Sequence, residues 1–516
     1  MAPEGDDADR GNEVRPWATL QRAADAVRPG DSVLVHAGRY AGFLVDSAPE
    51  RMGTAEQRIV FTSAPGDAGR VIIDRPGPDN YLRGGTQNHV DLTLTHYWTI
   101  KGFVLEGASR AGIAVLGFAG QPVVGVQVLG CVARDNGSWG IFTGFADDLL
   151  LEGNEATGSR LEHGIYVSNT SRRPVVRGNR LDGNAACGLH MNGDVSAGGE
   201  GQIFAALVED NVISGNGRGR GGSGINCDGC IEATIRNNFL FDTATSGISL
   251  YRGDAAGPSR GNLVVNNTIL QAVDGRWGIN LQNDAHDTVL LNNLVWTEHP
   301  WRGSIAVCAG CLGGLVSDHN VVRNRFSLDG DATVVDLAAW QARGLDPHGR
   351  TFAALDLALA EDGRLFPGSV AVDAGAAELA GHRAPERDIE GVFRPQGPAI
   401  DVGARELCPA AGCAPGPAEG SDAGMGTDGG TPPARDGGGG GGDGAADGGD
   451  GGGGGDGGGG GDGGGGGDGD GAADGGGGPG TGPTGRQGAD EGCSCSQQGP
   501  APHHGHDREG RGLLPL

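Results

Sequence analysis

Of the 38 Lys and Arg residues in this 516-residue chain, only Lys101 is a lysine, and aromatic residues make up 5%. A mechanism that needs a lysine base has a single place to sit, and that place is the stretch TIKGFVLEG, which reads as structural. No run approaches the roughly 20 apolar residues of a membrane-spanning helix. A basic surplus is missing too: the formal net charge is −27, which argues against nucleic acid as a partner. Much of that charge lies in residues 406–516, with 17 carboxylates against 4 arginines. The first residues, MAPEGDDADRGN, lack the apolar segment of an export signal, so the expectation is a start set too late on an exported protein.

Glycine is abundant, at 104 residues, and in one region it is periodic. Gly112, Gly140, Gly164, Gly188, Gly224, Gly247 and Gly278 are each followed by an aliphatic residue: Ile113, Ile141, Ile165, Leu189, Ile225, Ile248 and Ile279. A second marker runs in phase with them, at Asn154, Asn179, Asn211, Asn238, Asn267, Asn293 and Asn320. A period of two to three dozen residues signals a solenoid. Within each unit apolar and polar residues alternate, as in GIYVSN and GINLQN, which selects strands over helices. One coil cannot bury its own apolar face, so stacking must supply the core. Asn at the turns tolerates the left-handed conformation and bonds to neighbouring backbone.

These repeats resemble the right-handed parallel β-helix superfamily, the pectate-lyase-like fold, over roughly residues 12–405. The resemblance implies an all-β solenoid but leaves function open, because this fold hosts lyases, hydrolases, epimerases and non-catalytic surface proteins. Four segments follow: 1–98 as N-terminal cap and first coils, 99–325 as β-helix repeats, 326–405 as last coils and closing segment, and 406–516 as a tail. PWATLQRAADAV reads as a short amphipathic helix over the open end of the stack, closed by Pro29-Gly30-Asp31. Asp373, Gly375, Asp388, Gly391, Arg394, Pro395, Asp401, Gly403 and Glu406 resemble the choice-of-anchor segment that closes many β-helix chains, with turn formation and end-capping as their role. The Gly/Asp tail cannot bury a core and reads as a flexible spacer. Its GCSCSQQG resembles the start of a myxobacterial sorting signal, without the apolar helix and Arg cluster that should follow.

Close cysteine pairs, Cys227 with Cys230, Cys308 with Cys311 and Cys408 with Cys413, are expected to form local disulfides in an exported protein. Two CxxC pairs could also hold zinc, but they lie about three coils apart. Cys131 and Cys187 read as buried small apolar residues.

Alternation allows the outer face to be read as columns. With the aliphatic residue inward, the first outward column is Tyr166, His190, Asn226, Ser249 and Asn280, and the second is Ser168, Asn192, Asp228, Tyr251 and Gln282. This composition suggests a sugar-binding groove, flanked by His163 and Arg252. Excursions at 194–207 and 214–223 would form its walls, the latter carrying Arg218 and Arg220 for uronate carboxylates. For β-elimination or C5-epimerisation, His190 would act as base, Tyr251 as acid, Arg252 as neutraliser and Asp228 as orienter. Calcium, if used, would be held by Asp194 and Asp228, the same pair a hydrolase would need. The expectation is a monomeric extracellular or cell-surface protein that acts on an anionic polysaccharide, with a glycan-binding adhesion protein as the other reading. No copper-type His or Met cluster is visible in the repeats. Convergence of His190, Tyr251, Arg252 and an Asp on one point would favour catalysis, and spread along a flat face would favour binding.

Overall fold

The computed structural model describes residues 1–80, 87–360 and 363–415, so the expectations for the Gly/Asp tail and its GCSCSQQG stretch fall outside the described residues. Among the described residues the chain is an all-β right-handed parallel solenoid of about 12 turns. Three parallel sheets of 11, 12 and 11 strands run its length. One coil shows the path: Leu189–Asn192 lies in the third sheet, Leu207–Glu209 in the first, Val212–Ser214 in the second, and Ile225–Asp228 returns to the third. The inward positions form one core, including Ile165, Leu189, Ile225 and Ile248, all 0% exposed.

The glycine column has a steric cause. A Cβ on Gly164 would stand 2.9 Å from the Gly188 carbonyl oxygen, one on Gly188 2.9 Å from that of Gly224, and one on Gly224 2.9 Å from that of Gly247. Each coil needs glycine because the next coil's backbone occupies the space. Gly224→Ala would also press on Leu240 Cδ2 at 2.7 Å. It is expected to cost about 1–3 kcal/mol, read as a lowered denaturant midpoint.

The asparagine marker is a buried ladder. Asn154 Nδ2 donates to Asn179 Oδ1 at 3.0 Å, and the same bond repeats through Asn211, Asn238, Asn267, Asn293 and Asn320. It ends at Asp346, whose Oδ1 accepts from Asn320 Nδ2 at 2.8 Å. An acceptor with nothing further to donate to suits a last rung. The left-handed conformation belongs to the preceding residue, not to the ladder Asn: Gly153, Gly178, Asp210, Asn237, Asn266, Asn292 and His319 all have φ between 53° and 65°. That residue makes the corner, and the Asn after it fills the inside of the bend.

At one end the helix Leu20–Ala26, capped by Thr19, buries Leu20, Ala23 and Ala24. Its Gln21 side chain takes both backbone groups of Leu44, donating to the carbonyl at 3.0 Å and accepting from the N–H at 2.8 Å. This occupies the edge of the strand Phe43–Asp46 as another strand would. At the other end Trp340, on the helix Leu337–Gln341, stacks on Phe326 at 4.8 Å. The closing segment around Asp373 to Glu406 docks along the flank of the coils. Asn237, Asn266 and Asn292, on three successive coils, donate to the carbonyls of Arg387, Asp401 and Ala376. Their side chains point outward at the corners, where the segment takes up donor capacity left over by the stack; Asn292 Nδ2 also donates to Asn266 Oδ1 at 3.1 Å.

Disulfides join Cys308 to Cys311 and Cys408 to Cys413. The expected Cys227–Cys230 bridge is corrected: both thiols are unbridged and 0% exposed. Gly229, at φ 70°, turns the chain between two strands so that both cysteines point into the core as packing residues. Burial, together with the Cys227 thiol, pushes Cys230 well above the ordinary thiol range. Cys131 and Cys187 are buried as expected.

Candidate functional site

The outward columns are in register on the third sheet. Tyr166, His190, Asn226, Ser249 and Asn280 pair in succession, and so do Ser168, Asn192, Asp228 and Tyr251. The face is far less solvated than an outward column suggests: His163, His190, Asn192, Asn226 and Asp228 are all buried. The cover is partly aromatic. The Phe142 and Tyr166 rings stack at 5.5 Å, and those of Tyr166 and His190 at 5.2 Å, with His163 edge-on to His190 at 4.6 Å. Loops complete it. The stretch 194–202 meets 254–256 through Val195 N–H to Asp254 O and Ala256 N–H to Gly201 O, beyond the strand ends. On the opposite side, before the strands, Gly219 and Arg220 N–H donate to Ala185 O.

Within this frame each tyrosine reaches across to the other column, Tyr166 from the first to the second and Tyr251 from the second to the first. Asn192 Nδ2 donates to the Tyr166 hydroxyl at 3.0 Å, and Asn226 Nδ2 to the Tyr251 hydroxyl at 2.8 Å. Asn226 lies one coil from His190. Tyr166, His190, Asn192, Asn226 and Tyr251 therefore form one patch, with His163 behind it.

The protons of the histidine pair follow from the hydrogen bonds. The Cys187 N–H donates to His163 Nδ1 at 3.1 Å, so the His163 proton sits on Nε2. That group donates to His190 Nδ1 at 3.0 Å, which leaves the His190 proton on its own Nε2. Glu162 Oε2 lies 3.6 Å from His163 Nε2. Burial lowers His190 to about 3 and, with His190 as neighbour, holds His163 well below the usual range, so both rings are neutral. His190 Nε2 has no hydrogen-bond partner among the described residues, and neither has Asn192 Oδ1. Buried polar atoms left unpaired in this way call for a ligand group or an ordered water. The histidine expected as a base thus presents a proton to the patch.

The remaining expected residues stand apart from this point. Asp228 is buried with its carboxylate accepting the Gly253 and Asp254 N–H groups, both at 2.7 Å, so it holds its own loop. Burial raises its pKa, and those backbone bonds oppose the shift. Asp194 accepts from Ser196 N–H at 2.6 Å and Ser196 Oγ at 2.7 Å. The two carboxylates do not belong to any three-ligand group among the described residues. Arg218 is corrected as a uronate ligand: it pairs with Asp242 and with Asp274, because its loop leans toward the second sheet. Arg220 and Arg252 are exposed. Ser249 bonds to Ser223 Oγ at 2.9 Å, and Asn280 Oδ1 accepts from Gln282 at 2.9 Å, further along the stack. Lys101 ends the strand Trp98–Lys101 on the first sheet, away from the patch.

A third column escaped the sequence reading. The residue before each repeat glycine also faces this side, giving Trp139, His163, Cys187 and Ser223. Its signal was the His163-Gly164 step, which needed extending to the other coils. Trp139 stacks on Phe142 at 4.5 Å, and Arg110 lies 4.8 Å from the Phe142 ring centre. The expectation of no histidine cluster in the repeats is also corrected: donor atoms of His163, Cys187 and His190 lie within 4.8 Å of one another. With the proton on His163 Nε2, this cluster works as a hydrogen-bond chain and not as a ligand set.

A search of curated proteins finds no match to this sequence. Among solved structures the chain is similar to pectate lyase Pel9A, at 17% identity and TM-score 0.51, covering 79% of this chain and 95% of that one. It is also similar to the alginate lyase from Paenibacillus sp. str. FPU-7, at 22% identity and TM-score 0.41, covering 52% and 90%. A glycoside hydrolase aligns at 12% identity and TM-score 0.47, covering 67% and 98%. At these identities the likeness is one of fold. Residues 79–204 match the family described as the right handed beta helix region, and with the pectate lyase likeness this identifies the architecture of the chain as the right-handed parallel β-helix.

Proposed function

We propose that the protein acts on an acidic polysaccharide, as a β-eliminating lyase or a C5-epimerase, at the patch formed by Tyr166, His190, Asn192, Asn226 and Tyr251. The observation that carries this reading is the buried, unpartnered Nε2–H of His190 beside the Asn226–Tyr251 pair. A uronate carboxylate placed there accepts from His190 Nε2, a neutral donor that stabilises the charge growing on the carboxylate as C5 loses its proton. Tyr251, its oxygen held by Asn226 Nδ2 and its own proton first given up to solvent, takes the C5 proton. In elimination the C4–O bond breaks, a C4–C5 double bond forms, and the proton passes to the departing oxygen. In epimerisation a solvent proton reaches C5 from the opposite face, and Tyr251 releases the one it took to solvent. Arg252, exposed at the rim, contacts a neighbouring uronate. The pectate lyase likeness in fold supports the class of substrate. A polymeric substrate goes with an extracellular or cell-surface location and a monomeric protein.

Glycan binding without cleavage is the second reading, favoured by the way the rings of this face stack on one another. Hydrolysis is left without its carboxylate pair, since Asp194 and Asp228 are spent on their own loops.

The test is incubation of the protein with a panel of uronate polysaccharides, following ultraviolet absorbance of the new double bond, C5–proton exchange and reducing ends. Tyr251→Phe is expected to lower the rate by roughly 10²-fold or more. Binding with no turnover by any of the three readouts would establish the second reading. Reducing ends without absorbance would indicate hydrolysis.

A further inference from the structure

We propose that Asp318, His319 and His348 form a binding site for a divalent transition-metal ion, with zinc the best fit to the donor set. The three residues come together where the strand Val316–Asp318 leaves the first sheet and the connection before Arg350–Phe352 passes over it. One donor atom from each lies within 4.8 Å of the others. His348 Nδ1 is 2.8 Å and His319 Nε2 3.9 Å from Asp318 Oδ2. These separations bracket the roughly 3.4 Å between ligands on a tetrahedral ion with bonds of about 2.1 Å.

The surroundings orient the donors. His319 Nδ1 donates to the Ala374 carbonyl at 3.0 Å, which fixes its proton there and leaves the Nε2 lone pair facing Asp318. Asp318 Oδ1 accepts the backbone N–H groups of His319 and His348, each at 2.8 Å, so the carboxylate cannot swing away. The two imidazoles stack at 4.9 Å with planes 18° apart. Side-chain exposure rises from 8% at Asp318 to 23% at His319 and 67% at His348, so the site is anchored on one side and open on the other. Two imidazoles and one carboxylate with an open position suit zinc and its neighbours better than calcium, which takes six to eight oxygens. His348 Nδ1 donates to Asp318 Oδ2, so an ion would take the place of that proton, which the exposed His348 ring can carry on Nε2 instead. In the His163, Cys187 and His190 cluster the Cys187 N–H occupies His163 Nδ1, so the proton on His163 Nε2 has no other nitrogen to move to.

The experiment is equilibrium dialysis against zinc, with thermal melts, on the full chain carrying His503→Gln, His504→Gln and His506→Gln so that tail imidazoles do not contribute. That protein is expected to bind zinc and to show Tm raised by about 3–5 °C at ~100-fold excess over Kd. Adding His319→Ala or His348→Ala should remove one equivalent of zinc and the rise in Tm. His348 is exposed enough that its replacement leaves the fold intact, which circular dichroism checks. Unchanged zinc stoichiometry in both variants, or no zinc bound by the parent, would overturn the proposal.

Discussion

Asn238→Asp is expected to destabilise the solenoid more than Asn238→Ala at neutral pH, although it changes the side chain less. In the native ladder Asn238 Oδ1 accepts from the Asn211 backbone and side chain, at 3.1 and 2.9 Å, and its Nδ2 donates to Val208 O at 3.0 Å and Asn267 Oδ1 at 2.9 Å. Alanine leaves these buried groups unpaired, at an expected cost of about 3–5 kcal/mol. Aspartate keeps the acceptor half but points a second oxygen at two acceptors. Its ionised form is therefore penalised by burial and by repulsion, and the pKa in the folded state is raised above the unfolded value of about 3.9. A raised pKa gives stability that is complete below the unfolded value and lost as pH rises through the folded one. The gap between Asn238→Asp and the parent should accordingly be smallest near pH 4 and widen toward pH 8, as followed by denaturant midpoints. A gap that narrows with rising pH would refute the ladder's donor direction. Asp346 shows why an acid is tolerated only at the last rung. It is likewise raised by burial, but it receives donors from Ser317, Asn320 and Trp340.

Arg394→Met should release the flank segment while leaving the solenoid standing. Arg394 and Glu406 side chains are 0% and 1% exposed, and Nη1 donates to Glu406 Oε2 at 2.9 Å and to Asp401 O at 3.0 Å. Its Nη2 reaches Gly403 O at 2.9 Å. Removing Arg394 costs about 3–5 kcal/mol, because the Asp401 and Gly403 carbonyls lose their donor and Glu406 is left buried without its partner. The loss is local, so the expected signature is proteolysis between about residues 375 and 405 with the coils protected. Glu406 sets the pH dependence. Burial raises it to about 7 against the pull of Arg394. Its contribution is therefore present below about 4.5 and lost as pH rises through about 7. Glu406→Gln should abolish that part of the slope, and an unchanged slope would count against the assignment.

Both predictions concern features the sequence showed in outline. The Asn marker announced a repeat, and its phase against the Gly step located the corners. That the αL residue is the one before each Asn was also written in the chain, as Gly153-Asn154, Asp210-Asn211 and Asn292-Asn293, but only the dihedral angles made it visible. The columns of the outer face were legible for the same reason, since alternation fixes direction in a strand without reference to anything distant. What alternation could not show was cover. A position that points outward from its own coil is buried if a neighbouring ring or a loop lies over it, as happens to His190 and Asn226. The same holds for charge: Arg218 looked available until its partners Asp242 and Asp274 were placed beside it.

The sequence by itself determined the solenoid, its period and the register of its columns, because each of these depends on contacts repeated identically from coil to coil. A Cβ clash with the next carbonyl and an amide that bonds to its own copy recur at every step, so the chain carries them as a pattern. Only the tertiary structure decided which cysteines bridge, which carboxylates are already spent, and where the proton of His190 resides. Those outcomes turn on single, unrepeated neighbours, such as the Cys187 N–H against His163, the turn at Gly229, or a carbonyl 55 residues away in the case of His319 and Ala374. A pairing that occurs once leaves no period in the sequence, and packing alone brings its members together.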